Sequence, residues 1–322
     1  MMASMNRLGP SAFVLFVSFT LFSASASVSR PSPARAAGEK IKVVATVFPL
    51  AEFAREIVGD RGEVVLLLSP GTDVHTWQPR VSDVRKIETA DLLVSIGLGL
   101  EPWLESLVRG AGVKKTSSFE AAAGLDLIEA DGDEHAADAG RSRDHDGFDP
   151  HVWLDFSQDE MIADALSREF SRIAPAEAGF FSRNADVLKG RLRALDASFC
   201  ADLAPFRGKE FFLAGHAAFA YLARRYGIRQ VAVYGSSPDA APTPRETAEI
   251  ISRAKAGGVK TVFFEQAAGD KMARLIASEI GADVRVLYPG HNLNPEQAAR
   301  GVTFFRLMEE NLENLKHGFA GR

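Results

Sequence analysis

One cysteine is present in 322 residues, so Cys200 has no partner with which to form an internal disulfide. A free thiol behaves as a small apolar group, and Cys200 is expected in the core. No cysteine lies near the N-terminus to accept a lipid, so no lipid anchor is expected. A basic excess is also missing: 37 Lys and Arg stand against 42 Asp and Glu, for a formal charge of −5. With no Lys/Arg-rich block either, no nucleic acid partner is expected and no face is offered to anionic lipid. Long apolar runs are absent beyond Ala12 to Phe22, itself shorter than the roughly 20 residues that cross a bilayer. That run follows a basic start at Arg7 and precedes small residues, the pattern of a secretory signal. Cleavage after Ala26 or after Ala36 is expected, which removes residues 1–36 in the longer case and makes the protein periplasmic. No His-Glu-x-x-His helix motif occurs either.

What remains is long enough for two domains of roughly 100–150 residues each. Lys40 to Val47 is β-branched and apolar, and Pro49 opens a helical pattern. Strands then alternate with helices: Glu63 to Ser69, Arg80 to Thr89, Asp91 to Ile96 and Pro102 to Val108. Alternation of this kind predicts an α/β fold with a parallel sheet covered on both faces. Residues 129–150 lose all apolar periodicity and carry many acids with His135 and His145, which reads as a flexible acidic loop. Apolar positions then return at helical spacing, and a helix over Glu177 to Leu203 would be roughly 40 Å long. The second half restarts the alternation from Glu210 and closes with strands over Thr261 to Phe264 and Asp283 to Leu287 and one helix from Pro295 to Leu315. Domains over 37–175 and 204–322, joined by a helix over 176–203, are therefore expected.

In open parallel sheets ligands bind beyond the carboxyl ends of the strands. Three of the seven histidines fall there. His75 sits in the loop Pro70-Gly71-Thr72-Asp73-Val74-His75, His151 in Asp149-Pro150-His151-Val152-Trp153-Leu154-Asp155, and His216 directly after the strand Phe211 to Ala214. Imidazole is the usual nitrogen ligand of zinc, and three with one further donor complete a tetrahedral site. Spacing alone does not bring the three together.

These segments, with Gly97-Leu98-Gly99-Leu100-Glu101 and Gly215-His216-Ala217-Ala218-Phe219-Ala220-Tyr221, occur in the order found in the zinc- and manganese-binding solute-binding proteins of ABC transporters. The chain resembles that family from about Ile41 to its C-terminus. The resemblance implies two βα domains joined by one long helix with a metal in the cleft between them, Zn2+ as transported cargo and an ABC permease as partner. It makes His75 and His151 the ligands of the first domain and His216 the first from the second. The family carries an aspartate in a Leu-Asp-Pro segment near the last strand, whereas this chain reads Leu287-Tyr288-Pro289. Glu265, at the end of a strand on the correct sheet edge, is the expected fourth ligand. His291, water and Tyr288, whose phenol normally titrates near pH 10, remain open as alternatives.

Three histidines point to zinc over manganese, which prefers oxygen-rich sites. A zinc hydrolase with Glu265 as general base is the competing reading from another class. A manganese-binding homologue and a surface adhesin are the others.

Overall fold

Ile41–Ala45, apolar except for the exposed Lys42, becomes β1, packed against α1 (Phe48–Val58) in the core of the first half. The chain continues through β2 (Gly62–Leu66), α2 (Val81–Glu88), β3 (Leu92–Ser95), α3 (Leu104–Gly110) and β4 (Ser117–Glu120). The four strands form an all-parallel sheet in the order β2-β1-β3-β4. The two inner strands are buried along most of their length, as strands covered on both faces must be, while β2 and β4 alternate. β4 was not expected: Ser-Ser-Phe-Glu is short and polar, and only its pairing with β3 holds it extended. These coordinates come from a computed structural model that describes residues 39–110, 116–130, 147–234, 242–266 and 268–321. The expected signal over 1–36 and the loop histidines His135 and His145 lie outside the described residues.

Two helices lead out of the first half, α4 (Phe156–Ile173) and α5 (Ala178–Leu203). Pro175, which cannot continue a helix, separates them. α5 buries Phe181, Leu188, Leu192, Leu195, Phe199 and Leu203, a stripe at three- and four-residue spacing. Cys200 lies beside that stripe and is exposed, not in the core as expected. Its neighbour Phe199 occupies the inward position, so the helical period turns the thiol outward.

The second half repeats the first: β5 (Glu210–Ala214), α6 (Ala220–Tyr226), β6 (Arg229–Ala232), α7 (Pro244–Ala256), β7 (Thr261–Glu265), α8 (Lys271–Ile280) and β8 (Asp283–Leu287). Its parallel sheet has the order β6-β5-β7-β8. In both halves the strand order reverses beside the first strand, which places a crevice at the carboxyl ends of β1 and β3 and of β5 and β7. The final helix is two: α9 (Pro295–Ala299) and α10 (Phe304–Ala320). Gly301 adopts φ 65° and Thr303 caps the next helix by accepting from the Arg306 N–H, so the expected continuous helix breaks there.

One apolar core passes through both halves, packed around α5. Its aromatic rings join distant segments: Phe53 on α1 meets Phe304 on α10 at 5.3 Å, and Phe156 on α4 meets Phe199 on α5 at 5.0 Å. Phe199 in turn meets Tyr226 on α6 at 5.1 Å. The fold is thus two parallel-sheet βα domains held on one long helix. Among the described residues no helix is long and apolar enough to cross a membrane.

Candidate metal centre

His75, His151 and His216 converge. Each offers a ring nitrogen to a group whose members lie within 4.8 Å of one another. His151 and His216 are buried, at 2 % and 1 % exposure, and His75 is half-buried at the edge.

The loop that carries His75 is held at three points. Its own N–H donates to Asp73 Oδ1 at 2.8 Å, and Asn292 of the second half donates to the carbonyls of Ser69 and Thr72, both at 2.8 Å. Trp103 donates from Nε1 to the carbonyl of Val74 at 3.0 Å. Two residues before Trp103, Glu101 is a buried carboxylate that accepts from Thr46 Oγ1 and from the N–H groups of Ile96 and Gly97. Burial pushes the Glu101 carboxyl above its usual range despite these donors.

His151 follows the closed neck of the acidic segment, where Glu129 and Phe148 form an antiparallel bridge and the Asp149 N–H donates to the Ile128 carbonyl. Tyr221 of the second half donates to the Asp149 carbonyl at 2.9 Å and accepts from the Ile128 N–H at 3.1 Å. The Asp149 carboxylate takes both the backbone N–H of His151, at 2.9 Å, and its ring Nδ1, at 2.7 Å.

His216 leaves the end of β5 two residues after Ala214. Ala214 pairs with Phe264 in the parallel register of β5 and β7, which sets Gly215 beside Glu265. The Glu265 carboxylate grips His216 Nδ1 with both oxygens, at 2.9 and 2.8 Å. Glu265, expected as the fourth ligand, has its oxygens on the His216 nitrogen opposite the one that faces His151, so the carboxylate orients that ring and is not one of the converging group. Burial pulls the His216 imidazole down, but the Glu265 charge and hydrogen bond outweigh it and leave the pKa above 6.5.

With Nδ1 of each ring on a carboxylate, the two Nε2 atoms of His151 and His216 face each other at 3.1 Å. Two imidazole lone pairs at that separation repel unless a proton or a cation lies between them. Nitrogens bound to one tetrahedral zinc at about 2.0–2.1 Å stand roughly 3.4 Å apart, close to the spacing present. Carboxylate–histidine pairs are how proteins fix the tautomer and aim of a metal-binding ring.

Tyr288 is not directed at this group. Its phenol is raised first by burial and then by Glu310 on α10, with which it hydrogen-bonds, and its backbone N–H and carbonyl are both held by the Asn311 side chain at 2.8 Å. Sequence reasoning missed the roles of Asp149 and Asn292. Asp149 stands two residues before His151, a spacing that lets one carboxylate reach both backbone and ring, whereas Asn292 carries no local signal.

Residues 43–318 match the family model described as the periplasmic component A of the zinc-uptake complex, ZnuA. The high-affinity zinc uptake system protein ZnuA of Bacillus subtilis (strain 168) is 32 % identical over 305 residues, covering 94 % of this chain and 95 % of that protein. The zinc-binding lipoprotein AdcA of Streptococcus pneumoniae serotype 4 is 34 % identical over 285 residues, which are 86 % of this chain and 55 % of AdcA, so the chain spans about half of that relative. The crystal structure of the Zn(II)-bound ZnuA-like domain of Streptococcus pneumoniae AdcA superposes with a TM-score of 0.73 at 30 % identity, over 87 % of this chain and 99 % of the domain. The chain, with two sheets of one topology meeting at three histidines, belongs to the ZnuA family of periplasmic zinc-uptake components.

Proposed function

We propose that this chain captures a zinc ion on His75, His151 and His216 outside the cytoplasmic membrane and hands it to an ABC permease for import. The observation that carries this reading is the pair of Nε2 atoms at 3.1 Å with a carboxylate behind each ring. Residues 37–175 and 204–322 are the two binding halves in this reading, with 176–203 as their connector.

Function here is binding and release without a chemical step. Glu265, which a hydrolytic mechanism would need as its general base, is engaged by His216 Nδ1. Three neutral imidazoles favour zinc over manganese, because manganese prefers carboxylate and water oxygens. Zinc named in the relatives supports the same choice.

Isothermal titration of the purified chain with zinc at neutral pH tests the proposal. One equivalent taken up tightly, with manganese bound far more weakly, is the expected result, and His151→Ala should abolish most of the heat. Absence of zinc uptake, or turnover of ester or peptide substrates, would overturn it.

A further inference from the structure

A fourth imidazole reaches the same place from the loop after β8. His291 is buried, and its ring centroid lies 6.3 Å from that of His75, against 5.0 to 5.9 Å among the other three rings. Its Nε2 stands 3.6 Å from Asp73 Oδ2. Its Nδ1 is enclosed and has no hydrogen-bond partner among the described residues. Leaving a buried polar atom unsatisfied is costly, so such an atom calls for a role.

The pattern around the ring repeats that of its neighbours. His151 has Asp149 on one nitrogen and His216 has Glu265, each leaving the other nitrogen for the centre. His291 has the Asp73 carboxylate 3.6 Å from Nε2, a longer approach than the hydrogen bonds behind the other two rings, and an unengaged Nδ1. Asp73 also accepts the His75 N–H with its other oxygen, so one carboxylate sets both the His75 backbone and the His291 ring.

The loop is well placed to present that ring. The His291 carbonyl accepts from the Phe48 N–H at 2.8 Å, the Pro289 carbonyl accepts from Trp153 Nε1 at 2.7 Å, and the Leu293 carbonyl accepts from the Gly71 N–H at 2.7 Å. All three donors belong to the first half.

We propose that His291 is the fourth ligand, binding zinc through Nδ1 while Asp73 holds Nε2, in place of the carboxylate donor that neither Glu265 nor Tyr288 provides. This rests on the zinc-capture reading above. His291 is not a member of the 4.8 Å group, so ligation by Nδ1 requires its ring to close on the other three when the ion binds. The resulting four-nitrogen site is closed and tetrahedral, the arrangement that suits zinc and leaves no position for the oxygen ligands manganese prefers.

X-ray absorption at the zinc edge, on the full chain loaded with one equivalent, counts imidazoles directly. Four imidazole nitrogens are expected in the unmutated protein, and three with one oxygen in His291→Ala. Zinc affinity of that variant should fall by more than about a hundredfold, beyond the tenfold to hundredfold loss typical of an outer carboxylate. A count of three imidazoles in the unmutated chain overturns the proposal, whatever the variant's affinity, and leaves the three-histidine site standing. Because that count needs no variant, a result of three is decisive even if His291→Ala fails to fold, and His291→Gln, nearer in size, then supplies the three-imidazole comparison. If the unmutated chain takes up no zinc, both readings fall.

Discussion

Gly215 and Glu265 occupy a shared space at the carboxyl ends of β5 and β7: a Cβ at position 215 would overlap Glu265 Oε1 and come within 2.7 Å of its Cδ. The glycine is therefore what lets the carboxylate reach His216 Nδ1. Gly215→Ala should push Glu265 away, destabilise the fold by about 1–3 kcal/mol as overpacked cores do, and weaken zinc binding. Thermal denaturation and zinc titration of the same variant check both halves of this outcome. Affinity equal to that of the unmutated chain would mean the carboxylate does not aim the ring.

Glu265→Gln keeps the shape of the side chain and removes its charge. Zinc affinity should drop by about tenfold to a hundredfold, and Asp149→Asn should do the same through His151. Titration calorimetry measures each. Neither substitution should approach the loss caused by removing His151 itself.

The zinc affinity should fall as pH drops, because a protonated imidazole has no lone pair to give. Glu265 holds the His216 pKa above 6.5, so its competition with the ion begins above that value. For the metal-free protein the sign is opposite. A histidine with a raised folded pKa contributes stability that is full below its unfolded value and lost as pH rises through the folded one. Titrations from about pH 8 to about pH 5.5 should show the decline in affinity, and Glu265→Gln should move its onset to lower pH.

How far the site could be read from the chain follows from what each residue signals locally. His75, His151 and His216 each follow strand or loop segments whose order matches a known family, so they were legible. Glu265 was found but its role was not, since a carboxylate at a strand end reads alike whether it binds an ion or a ring nitrogen. The difference lies in the register of β5 against β7, a long-range fact. α5 was legible because its buried stripe from Phe181 to Leu203 keeps one period over about six turns. β4 and the break at Gly301 were not: the first is extended only because β3 is beside it, and the second interrupts a pattern whose apolar positions continue on both sides.

Asp159 on α4 is a buried carboxyl with neither oxygen hydrogen-bonded among the described residues. Burial first, and then the charge of Asp155, raise its pKa well above 3.8. A raised acid binds its proton more tightly in the folded chain, so its cost is absent below the unfolded pKa, grows as pH climbs from there toward the folded value, and levels off above it. Asp159→Asn should therefore stabilise the protein at neutral pH, on the order of 1 kcal/mol, and change little in acid. Melting curves of the two proteins at both pH values provide the comparison.

His151 and His216 are 65 residues apart in the chain. An ion shared between them ties off a ring of that length, and in the chain-entropy account a permanent bond closing such a ring is worth about 4 kcal/mol. A protein with a single thiol has no covalent staple of its own. On the zinc-capture reading its cargo supplies a reversible one, fastened when the ion is taken up and undone at each delivery, so that the loaded and emptied molecules would differ in resilience as well as in content.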